Sequence, residues 1–245
     1  MPSYTFTPSI LRGAGTRAVP EIPAGSSFPN AFSLSFDGTD DRVELDSNLN
    51  SSTNNVSISS WMKSSESVVY NDIRIPFGAR PTSGGSNYAI GRIRSQFATP
   101  TELNVALFNT FGTTVLNDGN WHNLVYTFNH TSKEVKAYVD GNTTPEVTTT
   151  FPSYILNYQF SVGADPLLSA FFNGNVDECA IFYSVLSTSD ITSIYGTGVP
   201  NDISSLNPVA WYRFEEGSGT TAIDSGTGGN NGTINGATYS TDVPT

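Results

Sequence analysis

Apolar and polar residues alternate with a period of two along most of the chain, the pattern of strands with one face buried. In "FSLSF", Phe32, Leu34 and Phe36 fall on one face. In "VSISSWM", Val56, Ile58 and Met62 share a face and Trp61 takes the other, and "WHNLVYTF" aligns Leu124, Tyr126 and Phe128. "EVKAYVDGN" is a strand running into Asp140-Gly141, a tight-turn signal. "YQFSVG" and "NVDECAIFY" read as two more strands, and Gly- and Asn-rich connections separate them all. This spacing predicts an all-β fold, a two-sheet antiparallel jelly-roll sandwich.

One short helix interrupts the alternation. In "LSTSDITSIYG", Ser187 precedes Asp190 by three residues, a capping-box spacing with Asp in place of Glu. Ile191, Ile194 and Tyr195 recur at helical intervals, and Gly196 stands where a helix ends. Residues 1–30 differ from both patterns. They hold Pro2, Pro8, Pro20, Pro23 and Pro29, which oppose helix and inner strand, and no periodic apolar face. Arg12 and Arg17 lie in the first twenty residues, which contain no acid. Such a segment does not bury enough of itself to order alone. It is expected to be an extended assembly arm that lays Tyr4, Phe6, Arg12 and Arg17 on another subunit. Residues 31–245 form the sandwich. Its last part, 207–245, is too short for a second core yet carries Trp211, Tyr212 and Phe214, so it is expected to return to a sheet edge of its own sandwich or a neighbour's.

Composition narrows the function. The 245 residues carry 22 acidic and 11 basic side chains, a formal net charge of -11, which argues against nucleic acid and anionic membrane as partners. No run of about 18 apolar residues is present and no membrane insertion is expected. The N-terminus lacks the apolar core of a secretory signal. The lone Cys179 excludes an internal disulfide and reads as a small buried hydrophobe.

Five blocks in order, "LSFDGTDDRVEL" (34–45), "VSISSWMK" (56–63), "GNWHNLVYTF" (119–128), "VKAYVDGN" (135–142) and "FNGNVDECAIFYSVLSTSDITSIY" (172–195), resemble laminin G-like domains of the concanavalin A-like lectin/glucanase superfamily, in the pentraxin-like branch. "AWYRFEEGSGTTAIDSGTGGNNGTINGATY" is similar to a further family block that usually precedes the first of these; here it follows the helix. The resemblance implies a jelly roll and, in many relatives, a structural calcium with an Asp on the last strand, here Asp177. Asp177 alternates with Cys179 and Ile181 and so is expected on the core side, with Asp37 and Asp40 of "FDGTDD" supplying neighbouring oxygens. The alternative for Asp177 is a carboxylate that accepts backbone N–H bonds from that turn.

A catalytic reading finds little. Glycoside hydrolases need two carboxylates across the sugar. Glu44-Leu45-Asp46 begins the strand signature of one large group, but Leu49 occupies its third acidic position, and the neighbours Glu215 and Glu216 would leave a strand by opposite faces. His122 reads as a hydrogen-bonded core histidine and His130 as an exposed turn residue. Trp61 and Trp121 read as core. Sugar-stacking candidates are Tyr88, Phe97, Phe108, Phe111, Tyr154 and Tyr158, and the sequence does not choose among them. The expectation is a non-enzyme: a lectin-like surface module of a large assembly such as a virion head decoration or tail protein, oligomeric and partnered by other subunits. The alternative is a free glycan-binding module at a cell surface or outside the cell.

Overall fold

The computed structural model describes residues 28–45, 49, 55–81, 90–96, 99, 101–107, 109–151, 158–165 and 169–245. The arm residues Tyr4, Phe6, Arg12 and Arg17, together with Asp46, Tyr88, Phe97, Phe108 and Tyr154, lie outside the described residues. In chain order the strands are β1 (Ser33–Asp37), β2 (Arg42–Glu44), β3 (Val56–Lys63), β4 (Ile73–Arg74), β5 (Phe77–Pro81), β6 (Ile93–Arg94), β7 (Asn104–Leu107), β8 (Thr110–Phe111), β9 (Trp121–Asn129), β10 (Glu134–Val139), β11 (Val147–Thr150), β12 (Tyr158–Val162), β13 (Asn173–Phe182), β14 (Ala210–Tyr212), β15 (Thr221–Ala222), β16 (Gly232–Asn235) and β17 (Thr238–Ser240). One helix, α1 (Thr188–Tyr195), and a 3-10 turn, Ser204–Leu206, follow β13. The architecture is an antiparallel two-sheet sandwich, as the alternation predicts.

The first sheet runs β11-β10-β9-β3-β13-β1-β17, with β14 also paired to β13. Thus β13 shares one edge between two strands, β1 beside residues 173–176 and β14 beside residues 179–181. The second layer runs β15-β16-β2-β12-β5 and continues through the bridge Ala79–Ile90 toward β6, β7 and β8. Gly91 permits that join: a Cβ there would lie 1.9 Å from the Phe77 carbonyl oxygen, closer than any side chain tolerates. Residues 207–245 contribute to both layers, since β14 pairs with β13, β16 with β2 and β17 with β1.

Between the sheets lies the main core, including Leu34, Val43, Ile58, Met62, Tyr126, Phe128, Val176, Cys179 and Tyr212. A second apolar cluster covers the outer face of the first sheet. There a row of directly paired residues, Tyr138, Val125, Ser59, Ala180 and Trp211, crosses five strands. Leu186, Ile191, Ile194 and Ile203 pack on it from α1 and its flanks. Serines suit this row because they are small. Ser57, fully buried, donates to the Ser184 carbonyl at 2.7 Å and accepts from Leu186 N–H at 3.2 Å, fixing the chain where it turns into α1. The helix start is a capping box: Ser187 Oγ accepts from Asp190 N–H, while Asp190 accepts from Ser187 N–H at 2.8 Å. Asp140 and Gly141 both have positive φ, 52° and 67°, and Asn142 N–H donates to the Val139 carbonyl, giving the tight turn its sequence signals.

Candidate functional site

The most unusual chemistry lies on β13. Between Asp177 and Ala180 the register with β3 shifts, so three steps on β13 face two on β3. This is a bulge, with Glu178 in the left-handed region at φ 49°. Its consequence is directional. Val176 and Cys179 both belong to the core between the sheets, whereas the two residues between them leave on the opposite side. Asp177 sits opposite Trp61, which stacks on Tyr195 of α1 at 5.5 Å. Glu178 lines a cavity with Trp61, Ile194 and Ile203. The strand alternation that groups Asp177 with Cys179 and Ile181 is therefore corrected: the inserted residue reverses the parity.

Both carboxyls are buried, Asp177 completely. Glu178 accepts from Trp211 Nε1 at 2.6 Å and from Arg213 Nε at 3.2 Å. The Arg213 guanidinium lies 3.9 Å from the centre of the Phe28 ring and also donates to the Pro29 carbonyl, and Phe28 stacks on Trp211 at 5.6 Å. Glu215 accepts Ala31 N–H and Phe32 N–H. Phe28 and Pro29, read from the sequence as the end of the arm, are thus fastened to Trp211 of β14 and to Arg213 just past its end. Burial, and then the Glu178 charge, raise the Asp177 pKa well above the ordinary carboxylate value. Burial also raises that of Glu178, against the opposing pull of Arg213 and Trp211. Asp177 Oδ1 accepts from Glu178 N–H at 2.8 Å, while Oδ2 has no hydrogen-bond partner. The Asn30 amide lies close enough to favour the ionised Asp177, yet neither of its polar atoms is aligned with a partner. The adjacent cavity, about 10 Å³, is far too small for a sugar ring.

The other sequence candidates are scattered. Asp37 and Asp40 come together with Asp41, their carboxylate oxygens within 4.8 Å of one another. They do not meet Asp177: Asp37 pairs with Asn173, four residues before it, or roughly 13 Å along an extended strand. Local bonds account for part of that loop. Asp41 Oδ2 accepts Asp37 N–H at 2.9 Å, and Asp37 Oδ1 accepts Thr39 N–H at 2.8 Å. Burial raises the Asp41 pKa, and Asp37 and Asp40 add to the rise. Glu44 is exposed and ion-paired with Arg42 at 2.6 Å. His122 is buried, with Nδ1 2.8 Å from Asp140 and Nε2 3.2 Å from Asp118. Trp121 is only half-buried because its indole N–H reaches out to Asp242 at 3.0 Å, and His130 is half-buried rather than exposed. Tyr158 is a core residue of β12, 2 % exposed, and no stacking platform. Phe111 is half-buried on β8.

The outer face of the second layer is unlike that of the first. Glu44, Gln159, Thr221 and Thr233 are exposed there, and Arg42, Arg80, Arg94 and Asn235 are half-buried. Arg80 donates to both oxygens of Asp165 at 3.0 Å. Among the described residues no apolar cluster caps this face. Sequence reasoning missed it because its residues are ordinary outward positions of short strands.

Comparison with known proteins agrees with this architecture. A family model described as the concanavalin A-like lectin/glucanases superfamily matches residues 37–192. A Bacteroides ovatus protein proposed to bind carbohydrate shares the fold with a TM-score of 0.64 and 16% identity over 89% of this chain, which spans 62% of that protein. The heptameric SAP-like pentraxin of Limulus polyphemus gives a TM-score of 0.53 and 9% identity, covering 84% of this chain and 96% of its own. No curated protein matches this chain by sequence. The chain belongs to the concanavalin A-like lectin/glucanases superfamily.

Proposed function

We propose that this chain is a non-catalytic, saccharide-recognising surface module, displayed on a larger assembly such as a virion head or tail. The observation that supports this best is the inequality of the two outer faces. One is sealed by α1 and by residues 28–32, with its carboxylates buried; the other stays polar and uncapped among the described residues, as a face kept for an external ligand would. The membership in a lectin and glucanase superfamily favours sugar as that ligand. Among the described carboxylates, Asp177 and Glu178 are buried under the roof, Asp165 is bonded by Arg80 and Glu44 is held by Arg42, which favours binding over hydrolysis. The proline-rich segment with Tyr4, Phe6, Arg12 and Arg17 supports assembly, through contact with an acidic neighbouring subunit, over the free-lectin reading. Screening the full chain on a glycan array, with a parallel assay for reducing-sugar release, tests the module. Binding without release is expected; release that is lost in Glu44→Gln overturns it. For the assembly, deletion of 1–27 should abolish incorporation and leave the sandwich folded, and normal incorporation without those residues would refute the arm.

The buried acid centre also suits a hard cation. Asp177 offers a desolvated oxygen without a partner, and Asn30 beside it offers an unpartnered amide oxygen, the donor type calcium prefers. A calcium there would be structural, holding residues 28–32 to β13, and would oppose the repulsion among Asp177, Glu178 and Glu215. The exposed Asp37 and Asp40 belong to a separate loop. Chelation of calcium-loaded protein should lower the melting temperature. An unchanged melting temperature, with calcium loading verified beforehand, rules out the calcium assignment.

A further inference from the structure

The peptide bond between Asn30 and Ala31 lies against the buried acid centre. On the side of its nitrogen, Ala31 N–H donates to both oxygens of Glu215, at 2.9 and 3.1 Å, and Phe32 N–H donates to one of them at 3.3 Å. On the other side stands the Asn30 side chain. Its Nδ2 and Oδ1 are buried and neither has a hydrogen-bond partner. Asp177 lies beside that amide, fully buried, and its Oδ2 is likewise without a partner. Buried polar groups nearly always find partners, so two orphaned side chains next to each other call for a reason. Backbone strain collects at the same place. Among the described non-glycine residues with positive φ, Glu178 at 49° and Phe214 at 57° are the two that are buried. One follows Asp177 and the other precedes Glu215, so each carboxyl beside the bond is aimed by a neighbour in a costly conformation, a pattern that marks functional sites.

An asparagine amide that is not tied by hydrogen bonds can attack the carbonyl carbon of its own residue. Here Asn30 Nδ2 would form a bond to the Asn30 carbonyl carbon and close a succinimide ring, and the Asn30–Ala31 C–N bond would break. The proton shed by Nδ2 ends on the Ala31 nitrogen, which leaves as an amine. Asp177 beside the nucleophile and Glu215 on the leaving nitrogen stand at the two ends of that transfer. Attack within one residue needs no second reactant and has the entropic advantage of an intramolecular reaction. The product also answers the electrostatics of the site. Asp177, Glu178 and Glu215 repel one another, and Arg213 is the cation set against Glu178 and Glu215. A free α-amino group, with an ordinary pKa of about 7.7–8.0, takes up a proton at neutral pH. The Ala31 ammonium would then stand at Glu215 and add a second positive charge to three crowded carboxyls.

We infer that the chain cuts itself between Asn30 and Ala31, with Asn30 as nucleophile and Asp177 and Glu215 as catalytic residues, parting residues 1–30 from the sandwich. This activity is separate from saccharide recognition and does not rest on it. Calcium held by the Asn30 amide would compete for the same side chain, so the test uses chelated protein. Purified full-length chain is incubated and followed by intact-mass spectrometry and N-terminal sequencing. The expected products are a chain that begins at Ala31 and a 1–30 peptide ending in the succinimide, one water lighter than its acid, formed at a rate independent of protein concentration. Asn30→Ala should abolish the cut; its amide makes no hydrogen bond, so the variant should fold and melt as the wild type does. Glu215→Gln should slow the cut about a hundredfold or more, with its melting transition checked in parallel. Wild-type chain that stays at full mass overturns the inference, and so does a cut that persists in Asn30→Ala, the sign of a contaminating protease. A gain of one mass unit without a cut also overturns it, because the Ala31 nitrogen has then attacked the Asn30 side chain and expelled ammonia. An undiminished rate in folded Glu215→Gln overturns the role of Glu215.

Discussion

The two outer faces of the sandwich arise from the same alternating pattern and end in opposite states. On the first sheet, β3 is buried at seven of its eight positions, because α1 and the chain around it cover the face that alternation would leave wet. On the second layer, β16 keeps alternation, buried at Gly232 and Ile234, exposed at Thr233 and half-buried at Asn235. What separates them is the length and company of the strands. The long central strands β3, β9 and β13 carry small or apolar outward residues, Ser57, Ser59, Val125 and Ala180, onto which a helix settles. The short strands of the second layer carry Arg, Gln, Glu and Thr outward, which keep a roof away. A binding face is thus specified as much by what refuses to cover it as by what lines it.

The harshest way to break this contrast is to delete 207–245. That removes β14 and β17 from the first sheet and β15–β16 from the second, and strips Trp211, Arg213 and Glu215 from the buried acids. The exposed sheet edges should aggregate. A soluble, cooperatively unfolding 1–206 fragment would show that the roof and both edges stand without it. Next comes a matched pair of point changes. Trp211→Ala removes the Phe28 stack and leaves Glu178 without its indole donor, so urea unfolding should show a loss of about 3–5 kcal/mol. Gln159→Ala on the open face should stay within about 0.5 kcal/mol. Equal effects would erase the distinction between the faces.

Smaller changes sharpen it. Ser187→Ala removes the capping box of α1 and should cost about 1 kcal/mol. It should do so without affecting any ligand bound at the opposite layer, and a change in saccharide affinity would reveal coupling between the faces. The smallest effect is in pH. Burial alone would lower the His122 pKa, but Asp140 from the turn after β10 and Asp118 from the turn before β9 outweigh it and hold it above its ordinary value; the β3 neighbour, Met62, carries no charge. Because the folded pKa is raised, this stabilisation is complete below the ordinary histidine value, about 6.5, and is lost as pH rises through the folded one. The melting temperature should therefore fall modestly with rising pH across that window. The histidine-linked part of the fall should vanish in His122→Gln, and an identical pH profile in that variant would remove His122 from the account.

Much of this protein is written in local pattern. Alternation marks the strands, Asp140-Gly141 marks its turn, and Ser187 with Asp190 and Gly196 marks the helix, because each depends on neighbours a few residues apart. The five ordered blocks likewise place the chain in its superfamily. Tertiary structure decided the rest. One inserted residue at Glu178 turned Asp177 away from Cys179, and a local pattern contains no sign of a bulge that is set by pairing with a strand over a hundred residues away. The segment 28–30 reads as free arm until Trp211 and Arg213, some 180 residues later, arrive to hold it. Arg80 and Asp165 lie 85 residues apart in the chain, and only the pairing of β5 with β12 brings them together. Backbone preference acts at short range and is legible in the chain, whereas burial and charge depend on which distant residues close over a site, and that is settled only when the sheets pack.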